Sequence, residues 1–304
     1  MRSADQFSTD DIRVLLAVAR TGRLVTAGEL LGIDHTTVRR RINRLESSLG
    51  ARLLDRGADG WELTALGREV AERAVGIERI VEQVASAASG ASDSVRGTVR
   101  IIAPDAFGTA FVARALAQVQ REHPGIIAEL VTSTRPLSLR GSGFDLAVTV
   151  GGATSARLPI EPLAEYALRL YASRDYLAGH APITGLDDLA AHPLVFYVDA
   201  LLTVRELHLA PHLSGMRVGF GSTNAHAQLH AVKHGAGIGL LHAFLANPEP
   251  DLVPVLPRLV DFRLQYSLST RTESLAVEPV MIVRDAILRD ARAHAAELVP
   301  PIPR

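Results

Sequence analysis

Arg39, Arg40, Arg41 and Arg44 stand close together in the chain, interleaved with Thr36, Thr37 and Asn43. A guanidinium pairs bidentately with guanine or with phosphate oxygens, an asparagine amide pairs with adenine, and hydroxyls bind phosphate. These residue types can therefore read a nucleic acid, provided that one helix holds them on one side. Val38, Ile42, Leu45 and Leu49 recur at steps of four, three and four, which is the period of a buried helical stripe. At about 100° per residue, Thr36, Arg40, Asn43, Arg44 and Ser47 fall on the opposite face, with Thr37 near it and Arg39 and Arg41 flanking. The bland alternative is a solvated arginine-rich face.

Positioning such a helix requires a frame, and its signals surround the stripe. Leu31-Gly32-Ile33-Asp34 reads as a tight turn, with glycine closing one helix and aspartate capping the next. Ile12, Leu15, Leu16 and Ala19 have the spacing of a first supporting helix. Across 52–63, Leu53 and Leu54, the turn residues Gly57 to Gly60, and Trp61 with Leu63 suggest a small hairpin, or wing. Arg52 and Arg56 then stand where a wing reaches the adjacent phosphate backbone. Together these predict a winged helix-turn-helix that binds double-stranded DNA.

Beyond the wing, Val70, Ala74, Ile77, Val81, Val84 and Ala88 step by four and three among charged residues, as in a coiled-coil seam. The expectation is a long linker helix that dimerises. The alternative is a helix packed on its own domain. The small polar run from Ser86 to Ser94 reads as a hinge.

From residue 96 onward, strand-like and helix-like segments alternate, which predicts parallel α/β architecture. Strands are expected at Thr98–Ala103, Ile126–Val131, Asp145–Val150, Leu168–Ala172, Leu194–Val198, Val218–Phe220, Ile238–Leu241 and Leu264–Thr270. Helices are expected at Thr109–Glu122, Asn224–His234 and Val277–Leu298.

The 304 residues carry a formal net charge of −1, so the positive charge at 36–56 is local. The absence of cysteine excludes disulfides, thiol catalysis and cysteine metal sites. No export signal or long apolar run is evident, which points to a cytoplasmic protein without a membrane partner. His226, His230 and His234 share a helical flank, but no carboxylate or cysteine joins them in the motif, so a solvated face is expected rather than a metal site. Gly235-x-Gly237-x-Gly239 follows a helix and precedes a strand, the reverse of a dinucleotide loop. No catalytic constellation and no cofactor motif is found, and no enzyme is expected.

Gly22, Ala27, Leu31, Val38, Ile42, Leu45, Glu46, Leu49, Gly50, Leu53, Arg56, Leu63, Thr64 and Gly67 match the N-terminal pattern of a known family. The chain resembles the LysR-type transcriptional regulators. Asp34, His35 and Arg39 stand where that family usually has serine, glutamine and serine, and Leu54 replaces phenylalanine. Farther on, Gly97-x-x-x-Ile101, Pro104 with Phe107-Gly108, Phe144-Asp145-Leu146-Ala147 and Val232-x-x-Gly235-x-Gly237-Ile238-Gly239 support the same resemblance.

The resemblance implies an α/β fold with a winged helix-turn-helix at 1–64, a linker helix and hinge at 65–94, and a two-lobed, periplasmic-binding-protein-like effector domain at 95–304. Lobe one would take about 95–164 and 268–304, and lobe two about 165–267. The chain would cross between them near Ala164–Leu168 and Leu264–Leu268. The implied partners are an operator, a second copy in a dimer or dimer of dimers, a small-molecule effector and RNA polymerase. By the logic of strand ends and helix N-termini, Asp105, Ala106, Phe107, Thr109, Gly151, Tyr197, Ser222, Thr223 and Asn224 would line the effector cleft. Many relatives have serine or threonine at the position of Ala106 and a neutral residue at that of Asp105. A carboxylate there suits a cationic or polyhydroxyl ligand, unless Asp105 simply caps the following helix. A regulator with a purely structural C-terminal domain is the other reading.

Overall fold

The structure is a computed structural model that describes residues 7–57, 60–71, 73, 74, 77, 95–133, 144–151, 160–198, 207, 213 and 215–302. An N-terminal unit runs to Gly97, and a C-terminal unit comprises Thr98–Leu137 and Phe144–Arg304.

The N-terminal unit is built from α1 (Thr9–Thr21), α2 (Leu24–Leu31), α3 (His35–Leu49) and an antiparallel hairpin of β1 (Leu54–Gly57) and β2 (Gly60–Leu63). A further helix, α4, covers 65–71 and includes 73, 74 and 77. Ser8 and Asp11 exchange side-chain and backbone hydrogen bonds in a capping box that starts α1. Gly32 takes the left-handed conformation (φ 64°) that ends α2, and the Asp34 carboxylate accepts the Thr36 N–H at 2.8 Å to start α3. Val38, Ile42 and Leu45 are buried against Ile12, Leu15, Leu16, Leu53 and Leu54. Leu49, at the end of the stripe, is 37% exposed.

This core reaches past residue 64. Ala71 and Ala74 are part of it, and Val70 packs against it, whereas Ile77 is 38% exposed. The first two expected seam positions are thus engaged inside the unit, because α4 leaves the wing along the surface of the helical core. Val81, Val84 and Ala88 lie outside the described residues.

The C-terminal unit holds a nine-stranded sheet with helices on it. Its strands are β3 (Gly97–Ala103), β4 (Ile126–Thr132), β5 (Leu146–Val150), β6 (Ile160–Ser173), β7 (Pro193–Phe196), β8 (Arg217–Gly221), β9 (Ile238–His242), β10 (Leu252–Val255) and β11 (Asp261–Thr270). The order is β4-β3-β5-β11-β6-β9-β7-β8, with β10 also on β6. The sheet is mixed, which corrects the expectation of a parallel one. β3 pairs parallel with β5, and β7 parallel with β8 and β9, while β6 and β11 run antiparallel to each other through the middle. The C-terminal part of β11 adjoins β5 on one side and the N-terminal part of β6 on the other, and the C-terminal part of β6 adjoins β9. A register shift at Tyr266/Ser267 marks the change. These two long strands therefore join two halves of the sheet, each with its own helices.

In the first half, α5 (Asp105–Phe107) passes through a wider π-type turn (Gly108–Val112) into α6 (Ala113–Glu122). The expected helix thus begins earlier than its apolar pattern indicates. Asp145 is fully buried and ties this half together: its carboxylate accepts the Arg100 N–H at 2.9 Å and the Ser274 hydroxyl at 2.8 Å. The C-terminal helix breaks at His294 into α10 (Glu278–Ala293) and α11 (Ala295–Leu298). α10 docks on α6 through a bidentate Arg114–Asp290 pair at 2.9 and 3.0 Å.

In the second half, α7 (Arg174–Ala178), α8 (Ala225–Lys233) and α9 (Ala243–Ala246) lie on the sheet, and Leu229 and Val232 join Val195, Leu241 and Tyr171 in its core. The glycine run after α8 serves packing. A Cβ on Gly237 would sit 2.3 Å from the Pro193 carbonyl oxygen.

Candidate functional site

On α3, Thr36, Arg39, Arg40, Asn43 and Arg44 are exposed, and Thr37 and Arg41 are half-buried. Their surroundings divide them. Arg41 lies 3.0 Å from Asp10, Arg44 lies 3.9 Å from the buried carboxylate of Asp11, and the Arg39 guanidinium sits 5.9 Å from the Trp61 ring centroid. The Thr36 hydroxyl donates to Asp34 at 2.5 Å, and these bonds from Thr36 hold the Asp34 carboxyl below its usual range. Arg40 and Asn43 have no intramolecular partner among the described residues. Arg40 and Asn43 thus stand free on a face whose other arginines are held by the protein itself.

The wing is fixed to this helix by a residue that enters the sequence reading only as a motif match. Glu46 Oε1 accepts the N–H groups of Leu53 at 2.7 Å and Leu54 at 3.1 Å. At the far side, the Trp61 N–H donates to the Gly22 carbonyl at 3.1 Å. Arg52 and Arg56 are exposed on or beside the hairpin, with Arg52 3.9 Å from Asp55 and Arg56 opposite Trp61.

The second candidate site lies where the two halves of the C-terminal sheet meet. Asp105 is 7% exposed and does not cap its own helix. Its Oδ2 accepts the N–H of Ala225, the first residue of α8, at 2.5 Å. The residues beside that helix end are tied locally: Ser222 Oγ accepts the Asn224 N–H at 3.1 Å, and Asn224 Oδ1 accepts the Ala227 N–H at 2.8 Å. Tyr197 is buried, and burial, with the charge of Asp105 adding to it, pushes its hydroxyl pKa up.

Asp105, Tyr197, Ser222 and Asn224 are thus held about one helix end, with Thr223 half-buried in the same turn. The other expected lining residues differ. Ala106 and Phe107 are fully buried, and Thr109 is exposed. Gly151 has both backbone groups engaged, its N–H on the Gln265 carbonyl at 2.8 Å and its carbonyl on the Ser267 hydroxyl at 3.0 Å.

Beneath this helix end, six rings form a closed circuit. Phe107 meets Tyr266 at 4.6 Å, Tyr266 meets Tyr166 at 4.0 Å, and Tyr166 meets His242 at 5.4 Å. His242 meets Phe244 at 5.3 Å, Phe244 meets Phe111 at 5.2 Å, and Phe111 returns to Phe107 at 5.1 Å. Only Phe107 is among the expected site residues, because the circuit draws on both halves and both long strands.

A model described as "Bacterial regulatory helix-turn-helix protein, lysR family" matches residues 9–68, and one described as "LysR substrate binding domain" matches 92–292. The chain belongs to the LysR family. It is 29% identical over 183 residues to an HTH-type transcriptional regulator of Xanthomonas campestris pv. campestris (strain 8004), covering 60% of this chain and 53% of that one. To the HTH-type transcriptional regulator DmlR of Escherichia coli (strain K12) it is 30% identical over 184 residues, covering 60% of each. The matched stretches therefore span less than two thirds of either relative.

The crystal structure of ArgP from Mycobacterium tuberculosis superposes with a TM-score of 0.69 at 21% identity, covering 92% of this chain and 96% of ArgP. The LysR fold is a winged helix-turn-helix followed by a two-lobed effector domain, and the two halves of the sheet are the lobes. Among the described residues, no helix is long and apolar enough to cross a membrane, and no three histidine, aspartate or glutamate side chains cluster as a metal site would require.

Proposed function

We propose that this LysR-family chain is a sequence-specific DNA-binding transcriptional regulator of the cytoplasm, controlled by a small molecule bound between its lobes. The observation that carries the DNA reading is the free pair Arg40 and Asn43 on the exposed face of α3. Arg39, Arg41 and Arg44 are held beside them, and Arg52 and Arg56 are on the wing side, positions suited to phosphate. A dimer, or a dimer of dimers, places two such helices on one operator. Exposed Ile77 on α4 supports the linker as the start of that contact. RNA polymerase is the downstream partner in this reading.

Genomic footprinting supplies the operator, and a gel-shift titration then tests the assignment. Arg40→Ala is expected to weaken specific binding by about 1–3 kcal/mol. Unchanged operator affinity would sink it.

A further inference from the structure

The N-terminus of a helix attracts anions through its free amides and its dipole. In α8, a helix of nine residues, the protein supplies that anion itself. The Ala225 amide is taken by Asp105 Oδ2, and the Ala227 amide by Asn224 Oδ1. Close to those two engaged amides, two side-chain acceptors are left over. Asp105 Oδ1 and Gln228 Oε1 are buried with no hydrogen-bond partner among the described residues. Gln228 is fully buried and stands three residues after Ala225, on the same helical face. Its own amide N–H donates to the Ser222 carbonyl at 2.8 Å, which fixes which way the side chain is turned.

Buried acceptors without donors are rare in folded proteins, and a carboxylate oxygen is among the costlier ones to leave so. Two of them, one from a carboxylate, beside a helix end whose Ala225 and Ala227 amides are already taken complement a ligand that brings N–H donors and positive charge, and the carboxylate repels an anionic one. The geometry points to Asp105 as the residue that sets the charge of the effector: the lobes take an organic cation with N–H donors, a protonated amine or a guanidinium, on Asp105 Oδ1 and Gln228 Oε1. This rests on the reading that the effector enters between the lobes. A carboxylate ligand would have to displace Asp105 from α8.

Thermal unfolding of the full chain with paired salts of one shape tests the assignment, at matched ionic strength: butylammonium against butyrate, and benzylammonium against benzoate. The ammonium members are expected to raise the midpoint of wild type by mass action, and the carboxylates to leave it unchanged. Asp105→Asn keeps an acceptor for the Ala225 amide but turns an NH2 toward the ligand. It is expected to weaken the ammonium response at least tenfold in apparent affinity. Gln228→Met keeps the shape, removes the other acceptor and is expected to weaken the response as well.

The assignment is overturned by a carboxylate that stabilises wild type, by an ammonium response that survives both substitutions, or by no ammonium response in wild type. Stabilisation by a carboxylate overturns the charge assignment and leaves the effector reading standing, so the two failures are distinguishable; gel-shift titration of wild type against Arg40→Ala separately reports the DNA-binding reading.

Discussion

His242 is a side chain whose chemistry burial alters strongly. It is 4% exposed between Tyr166 and Phe244, and burial, with His226 adding to it, pushes its pKa down to about 3. The folded protein therefore keeps the ring neutral where the unfolded chain protonates it near pH 6.5. Stability is fully present above that value and is lost as pH falls toward the folded pKa, at about 1.4 kcal/mol per unit for this one group. Urea unfolding at pH 7, 6 and 5 is expected to show this acid loss, and His242→Phe to flatten it by about one proton. An identical pH slope in the variant would remove His242 as its source. Glu46 makes a different contribution, since its carboxylate holds two backbone amides at the base of the wing. Glu46→Ala is expected to destabilise the N-terminal unit by about 1–3 kcal/mol in urea titration, with Glu46→Gln intermediate.

At the scale of elements, legibility follows the range of the forces. α3 and α8 are readable because a cap, Asp34 or Asn224, and an apolar stripe lie within a few residues of each other. The N-terminal half of β6 is not, since Glu161, Pro162 and Glu165 interrupt its apolar pattern and β11 supplies the pairing from far along the chain. The aromatic circuit is hidden for the same reason, and so is Asp105, whose partner lies on a helix of the other lobe. The arginines of α3 are legible as a face, but their division into held and free depends on α1 and the wing. α4 shows the converse, a periodic seam whose first turns are claimed by the local core. Ala74, 2% exposed, should therefore behave as a core residue, and Ile77 as a surface contact. Ala74→Glu is expected to lower the unfolding midpoint of the N-terminal unit. Ile77→Glu should leave that midpoint alone and shift light scattering toward the monomer. Equal effects of the two on either readout would contradict the assignment.

At the scale of the molecule, the two units have separate hydrophobic cores, so unfolding need not be a single cooperative event. The C-terminal unit depends on the paired long strands, and Arg169 is their central polar tie. It is fully buried, donates to Asp261 on β11 at 2.8 Å, and reaches the carbonyl of Pro300 at 2.8 Å. One side chain thus joins β6, β11 and the segment that follows α11. Removing it would leave Asp261 with Arg263 alone and would orphan the Pro300 carbonyl. Breaking a buried pair from one side costs about 3–5 kcal/mol, and each kcal/mol corresponds to roughly 2–4 °C in a domain of this size. Calorimetry of Arg169→Ala is therefore expected to lower one transition by about 6–20 °C, while the transition that Glu46→Ala moves stays in place. A single transition shifted by both substitutions would show instead that the two cores unfold as one.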